Sequence, residues 1–512
     1  MKERSRTNQF IINFGAQVFV FASNFAISFF LTPFIIKNIG REAYGFVGLA
    51  NNFINYITVL TTALNSMFGR FVTISIYREE ELKTNKYFSS VFFANIFVSI
   101  PLTVASVFVV IFINKLVNIS NAILTDVQIL WAFLFAEFIT GLIFSVFTVA
   151  TFTKNRLDLA SLRNIESSAI RVVILVVMFR FLKPSVWFLG FAAFICGMYV
   201  VFMNIYYTKK LLPEVKIKKK YFDFKMVVEL ITSGIWNSVN KLSGILSNGL
   251  DLLITNLFVT SQAMGIVSIS KTVPTYILSA YSTISSLFAP ELTISYAKND
   301  FEDMRKQLLS AIKMLGFFSS IPISFIYIFG KEFYGLWVPT EDAALLHMLT
   351  VLGMLAAAVG WPLEPLWNIF TITNKVKQSS LFLLSNAVLS TLLVFILLNF
   401  TNNETTKMCI VVGVSTTISV IRSVTFLPMY GAKCLNFKLT TFFPTIIKNT
   451  VSIVVISLSS LLLKQFVSAD TWFKLILCGV IVSAFSCIFN WFFLLGKAER
   501  NKIISKLSKI VK

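Results

Sequence analysis

The sequence predicts an all-α polytopic membrane protein. About fourteen transmembrane helices are expected, as two pseudo-symmetric six-helix lobes in parallel repeat plus two extra C-terminal helices. Three observations predict this. Of 512 residues, 56% are hydrophobic and 13% charged, with a mean hydropathy of +0.78. That is about half the charged share of a globular domain, and a soluble fold of this length has too little interior to hide so much apolar surface. The apolar residues also fall in runs long enough to cross about 30 Å of hydrocarbon as helix. Finally, residues 43–77 and 263–297 align without a gap at a shift of 220. They share ten of 35 positions, among them Thr73-Ile74-Ser75 with Thr293-Ile294-Ser295.

In chain order the first six runs are 10–36, 44–69, 87–114, 127–153, 162–182 and 185–208, which make an N-lobe over 1–208. The fifth contains Arg171 and Arg180 and carries a weak signal, as does the twelfth. A basic tract, "KKLLPEVKIKKKYFDFK" (209–225), follows as a cytoplasmic linker whose lysines suit anionic lipid on the inner leaflet. The next six runs, 226–257, 263–292, 307–330, 343–371, 378–399 and 405–428, build a C-lobe over 226–430. The repeat pairs span two with span eight. Six spans, an even number, separate the copies, so both point the same way, as in transporters made of two parallel halves. Runs 446–467 and 472–496 are spans thirteen and fourteen. The tail 497–512 sets Ile503, Ile504, Leu507, Ile510 and Val511 on one face and lysines opposite, which suits an interfacial helix.

Charge placement supports this order. With the N-terminus inside, the inner segments hold 32 of the 45 Lys/Arg residues and the outer segments nine; Arg171, Lys241, Lys271 and Arg422 lie within spans. Such asymmetry is the positive-inside pattern, and it places both termini in the cytoplasm. The first apolar run is expected to act as an uncleaved signal anchor.

Other classes are excluded. The net charge of +21 sits in short tracts between spans, so it does not indicate nucleic acid. Cys196, Cys409, Cys434, Cys478 and Cys487 are scattered and His347 is the sole histidine, so no metal or catalytic cluster is expected. No GxxxxGK[ST] occurs, so this chain does not drive itself with ATP, and no loop projects the paired carboxylates of a glycosyltransferase or polymerase.

Polar residues inside the spans mark the candidate site. On span seven, Gly234, Asn237, Lys241, Gly244, Asn248, Asp251 and Thr255 follow steps of three and four and share one helical face. Central charge facing lipid costs at least about 2.5–3.5 kcal/mol per residue, so this stripe is expected to face a cavity or another helix. Span two shows Asn51, Asn55, Thr58, Thr62 and Asn65 at the same steps, and in the repeat Lys271 stands opposite Asn51. Gln17 stands opposite Asn237, with Asn13 and Asn24 on the same face of span one. The simplest arrangement is a polar cavity between two halves; the alternative is polar glue between packed helices. Glu137, Glu166, Arg171, Arg180, Glu291, Glu364 and Arg422 are further intramembrane ionisable residues. Glu364 lies between Pro362 and Pro365, where a broken helix would suit an ion site.

"LTPFIIKNIGREAYGFVGLANNFINYI" (Leu31–Ile57) resembles the first two helices of the polysaccharide transporter family of Wzx-type flippases. The Gly40…Tyr44-Gly45 pattern after a Thr-Pro-containing helix carries the match, with the span count and basic linker. The superfamily also holds multidrug-extrusion proteins and peptidoglycan-precursor flippases. The resemblance implies a flippase, not an enzyme, that moves an undecaprenyl-pyrophosphate-linked oligosaccharide from the inner to the outer leaflet of the cytoplasmic membrane by alternating access. Lys241 and Lys271 would attract the pyrophosphate, and Asn237, Asn248, Gln17, Asn24, Asn51 and Asn55 would bond sugars. Asp251 and Glu364 would be the ion-coupling carboxylates. Membrane lipids, a polysaccharide polymerase and glycosyltransferases are the implied partners; no cofactor is expected beyond a coupling Na⁺ or H⁺. Peptidoglycan-precursor flippases carry arginines on the first two helices where this chain has Gln and Asn, which favours another glycolipid. A cation-coupled exporter of amphipathic molecules is the alternative reading, and a scaffold without transport a third.

Overall fold

A computed structural model of the chain describes residues 6–154, 156–286, 288, 292–293, 295–296, 298–373, 375–496 and 500. Among these, every regular element is helical. In chain order the principal helices are α1 (Arg6–Ile39), α2 (Arg41–Tyr77), α3 (Glu81–Ile111), α4 (Leu124–Ile143), α5 (Leu157–Phe181), α6 (Trp187–Leu211), α7 (Phe224–Gly244), α8 (Asp251–Phe258), α9 (Ser261–Ser286), α10 (Phe301–Trp337), α11 (Ala343–Met354), α12 (Pro365–Ile372), α13 (Val376–Leu398), α14 (Glu404–Val424), α15 (Phe426–Cys434), α16 (Phe443–Phe466) and α17 (Trp472–Phe493). Short helical turns join several of them. Helix lies on each of the fourteen expected segments.

Among the described residues, ten helices are long and apolar enough to cross a membrane, and eleven if the bent pair Ala343–Met354 and Ala357–Leu363 counts as one span. The segments that fall short are α5, α7–α8 and α9. Their polar and charged residues lower the mean hydropathy, so for these three the count of fourteen rests on charge placement alone. The amphipathic tail and Glu291 lie outside the described residues, apart from Arg500.

The chain packs as two compact units, 1–265 and 266–512. In the first, α2 packs most extensively on α7 and α4 on α6, while α1 and α6 both lie against α5. Its core gathers Leu64, Phe68 and Val72 of α2, Tyr87, Phe88 and Val91 of α3, and Val227 and Leu230 of α7. The expected linker is pinned along α3 inside this unit. Asn85 and Ser89, both buried, accept from the amides of Lys216 at 2.7 Å and Lys218 at 3.2 Å. Lys86 meets Asp223 at 3.0 Å and holds that carboxyl below the usual aspartate range, with help from the Lys225 amide.

In the second unit, α10 is the central post, with α11, α16 and α17 packed on it. Buried polar residues knit the last two helices to it: Asn449 donates to the Ile312 carbonyl at 3.2 Å, Ser324 to that of Ile453 at 3.2 Å, and Asn490 to Ser320 at 2.8 Å. In hydrocarbon such groups must find partners inside the protein.

The repeat is structural as well as sequential. At the end of α2 the Glu79 amide bonds the Ile76 carbonyl and the Glu80 amide that of Ser75, with Glu79 left-handed at φ 60. At a shift of 220, the Asn299 amide bonds Tyr296, the Asp300 amide bonds Ser295, and Asn299 has φ 56. Both are Schellman helix ends. The serine of each Thr-Ile-Ser is buried and reaches the start of the next helix, Ser75 to Thr84 at 2.8 Å and Ser295 to Asp303 at 2.7 Å. The motif recurs because its serine ties the same turn twice.

Candidate functional site

The polar stripes expected on spans two and seven are the two sides of one interface in the first unit. Gly234 makes the approach possible: a Cβ there would strike the carbonyl of Ala63 and stand 2.9 Å from its carbon and 3.0 Å from Ser66 Oγ. Small residues allow such close crossings in membranes. Around that contact, Asn237 Nδ2 donates to Ser66 Oγ at 3.0 Å, Ser238 Oγ to the Val59 carbonyl at 2.8 Å, and Lys241 Nζ to Asn55 Oδ1 at 2.8 Å. Asn237 and Asn55 are thus engaged in helix packing. Lys241 is half-buried and keeps two further N–H donors beyond its bond to a neutral amide.

The stripe is not one continuous face. A π turn, Ile245–Gly249, separates α7 from α8. Its extra residue rotates everything beyond it by roughly 100° relative to a regular helix. The sequence periodicity assumed an unbroken helix and missed this. Tyr56 of α2 donates to the Gly249 carbonyl at 2.6 Å, meeting an acceptor at the widened turn. Asp251 opens α8 and is 4% exposed, with Tyr56 within electrostatic reach. A break in the helix therefore lies beside Asp251, with only the spaced Gly244 and Gly249 to signal it. The side chains of Asn248 and Gln17 lie outside the described residues.

The remaining candidates divide. Asn51 is exposed and bonds the Val47 carbonyl of its own helix at 3.0 Å. Asn24 is exposed and accepts from Ser168 of α5 at 2.8 Å. Asn65 belongs to a closed network with Asn95 and Ser145, where Asn95 also serves the Leu142 carbonyl at 3.1 Å as α4 ends. In the second unit, Lys271 is half-buried on α9.

Glu364 precedes α12 at the end of a 3-10 turn, Trp361–Leu363. The sharp bend of this span, 41°, lies earlier, between Met354 and Ala357. Pro362 and Pro365 occupy first-turn positions, where no amide is needed, so neither forces a kink. Instead the Met354 carbonyl at the bend is met by the Tyr327 hydroxyl at 2.9 Å.

One cluster escaped sequence reasoning. Buried Glu42 accepts from the Ser120 amide at 3.0 Å, the Ser120 hydroxyl at 3.1 Å and Gln262 at 2.8 Å, while Arg41 donates to Gln262 at 2.9 Å. Gln262 is the repeat partner of Glu42. Gly45 and Gly265, also repeat partners, meet so closely that a Cβ on Gly45 would stand 3.0 Å from Gly265 Cα. Both contacts join repeat partners, which the 220-residue shift marks in the sequence.

Among the described residues, no group of three or more His, Cys, Asp or Glu could hold a metal ion.

Comparison with known proteins agrees with this architecture. The chain is 28% identical over 503 residues to the uncharacterized membrane protein EpsK of Bacillus subtilis (strain 168), covering 98% of each. Its fold is similar to that of the lipid II flippase MurJ in an inward closed conformation (TM-score 0.66, 14% identity, 93% of this chain and 98% of that one). It is similar also to an inward-facing multidrug resistance MATE family transporter of the MOP superfamily (TM-score 0.60, 12% identity, 80% and 95%). Residues 13–334 match the family described as polysaccharide biosynthesis protein. This multi-pass membrane protein therefore belongs to the polysaccharide biosynthesis protein family.

Proposed function

We propose that the protein is a flippase, not an enzyme. It moves an undecaprenyl-pyrophosphate-linked oligosaccharide from the inner to the outer leaflet of the bacterial cytoplasmic membrane, with both termini inside. The observation that carries the reading is Lys241: a cation within a span whose partner, among the described residues, is one neutral amide, Asn55. A charge kept in hydrocarbon at such cost serves function in most settings. Its two remaining donors suit a pyrophosphate, as does Lys271 in the second unit. Family membership supports a role in polysaccharide assembly, and the fold it shares with MurJ and MATE supports alternating access. A polysaccharide polymerase and glycosyltransferases are the expected partners.

The test is complementation of a strain that lacks this gene. Lys241→Ala and Lys271→Ala are expected to cripple polysaccharide export at near-normal protein level. Normal export by both variants would refute the cationic mechanism.

A further inference from the structure

The first unit holds a second set of intramembrane charges, on α4 and α5, beside the polar residues of α6. Glu166 accepts from the Tyr199 hydroxyl, and Arg163 donates to Asn204 through one terminal nitrogen, although its Nε, like that of Arg171, is buried without a partner. Glu137 and Arg171 are different. Among the described residues, the Glu137 carboxylate takes no hydrogen bond and forms no ion pair. Arg171 likewise has none, and its buried Nε lacks a partner. The two are close enough to interact electrostatically but do not close a salt bridge. Glu137 lies thirteen residues into α4, roughly 20 Å along its axis. It is held against Gly197 of α6, where a Cβ would stand 2.6 Å from its Cγ and 3.1 Å from Oε1.

We propose that Glu137 and Arg171 form a proton-binding site within the first unit. The carboxylate takes up a proton, and the adjacent guanidinium makes its protonation state control how the bundle packs. The balance is simple: one proton adds to one carboxylate oxygen, and no other bond changes. Deprotonated, the pair is neutral overall. Protonated, it leaves a lone positive charge among apolar helices. Such a charge is costly in a membrane, so the two states favour different packings. A closed salt bridge would resist this, since both charges would already be spent on each other. The titratable groups facing Glu137 are Arg171 from α5 and Cys196 from α6, whose thiol donates to the Ser167 carbonyl at 3.2 Å. Helices α2 and α3, also packed on α4, add no charge to it.

The second unit holds a pair of the same kind, though not at repeat-related positions. Among the described residues, Glu364 and Arg422 interact electrostatically without an ion pair, and the Arg422 Nε is buried without a hydrogen bond, its guanidinium over the Trp367 ring. The first site rests on the transporter reading only for its consequence, not for proton binding.

The experiment is infrared difference spectroscopy of the full chain in lipid vesicles, between neutral and acid pH, reading the carboxylic-acid C=O band. Glu137→Gln is expected to remove one component of that band. Arg171→Gln is expected to move the midpoint of its titration by at least tenfold in proton concentration, with Arg171→Lys restoring it. Glu137→Asp, which keeps the acid, is expected to shift the component without removing it, and serves where the amide variant does not fold. A folded Glu137→Gln protein with the wild-type spectrum would overturn the proposal. So would an unchanged midpoint in Arg171→Gln, or an unaltered band in Glu137→Asp. No lipid is flipped in this measurement, so failure of the flippase reading leaves its outcome legible.

Discussion

Replacing Gly234 by alanine tests how α2 and α7 are held together. The new methyl would be aimed at the Ala63 backbone, 2.9 Å from its carbonyl carbon, and neither helix axis can yield without moving the other. Overpacking of this kind costs about 1–3 kcal/mol. Separation would also strain the Asn237–Ser66, Ser238–Val59 and Lys241–Asn55 hydrogen bonds, each worth about 0.6 kcal/mol between membrane helices. The full loss is therefore about 3–5 kcal/mol, offset by the roughly 0.5–1 kcal/mol that alanine gains over glycine in a helix. Gly141→Ala is the matched control, because a Cβ there meets nothing within 4 Å. Thermal unfolding in detergent, followed by tryptophan fluorescence, is expected to show a drop of several degrees for Gly234→Ala and none for Gly141→Ala. Equal midpoints for the two would refute the close-crossing account.

Three further predictions follow from the same structure. Cysteine probes at Lys183, Lys331 and Lys407 are expected to label from outside the cell and those at Lys218 and Lys433 not; reversal at one loop would break the fourteen-span order. Because Lys86 depresses the Asp223 pKa, the hold of Asp223 on the linker is present above the ordinary aspartate range and is lost as pH falls through its lowered value. Hydrogen exchange at the Lys216 and Lys218 amides, corrected for intrinsic rates, is accordingly expected to speed up in Asp223→Asn at neutral pH; unchanged protection would remove the link. Asp251→Asn or Glu364→Gln is expected to uncouple transport from an imposed proton or sodium gradient, worth about 2.3 kcal/mol per charge per 100 mV. Wild-type rates that ignore both gradients would deny either carboxylate that role.

Hydropathy and charge marked each helical segment because a bilayer demands long apolar runs whatever their packing. The repeat was legible through residues that do the same local job twice, such as Ser75 and Ser295 at their helix ends. The stripes were legible as stripes, since helical spacing sets which residues share a face. That the α2 and α7 stripes face each other depends on Gly234, whose missing side chain leaves no mark of its own in a polarity pattern. The π turn before Asp251 was hidden because periodicity presumes an unbroken helix. In the broken span, sequence pointed to the prolines, yet the bend falls at Leu355–Ala356. A proline in the first turn of a helix fits there without distortion.

The central claim is that a chain of this family moves a pyrophosphate-linked glycolipid across the bilayer. The most direct measurement is flipping in vesicles reconstituted with the pure protein. The donor is a fluorescent oligosaccharide on undecaprenyl pyrophosphate, and the control is the same sugar on a neutral diacylglycerol. The account predicts protein-dependent flipping of the pyrophosphate form alone, lost in Lys241→Ala. Equal flipping of both lipids, or of neither, would contradict it.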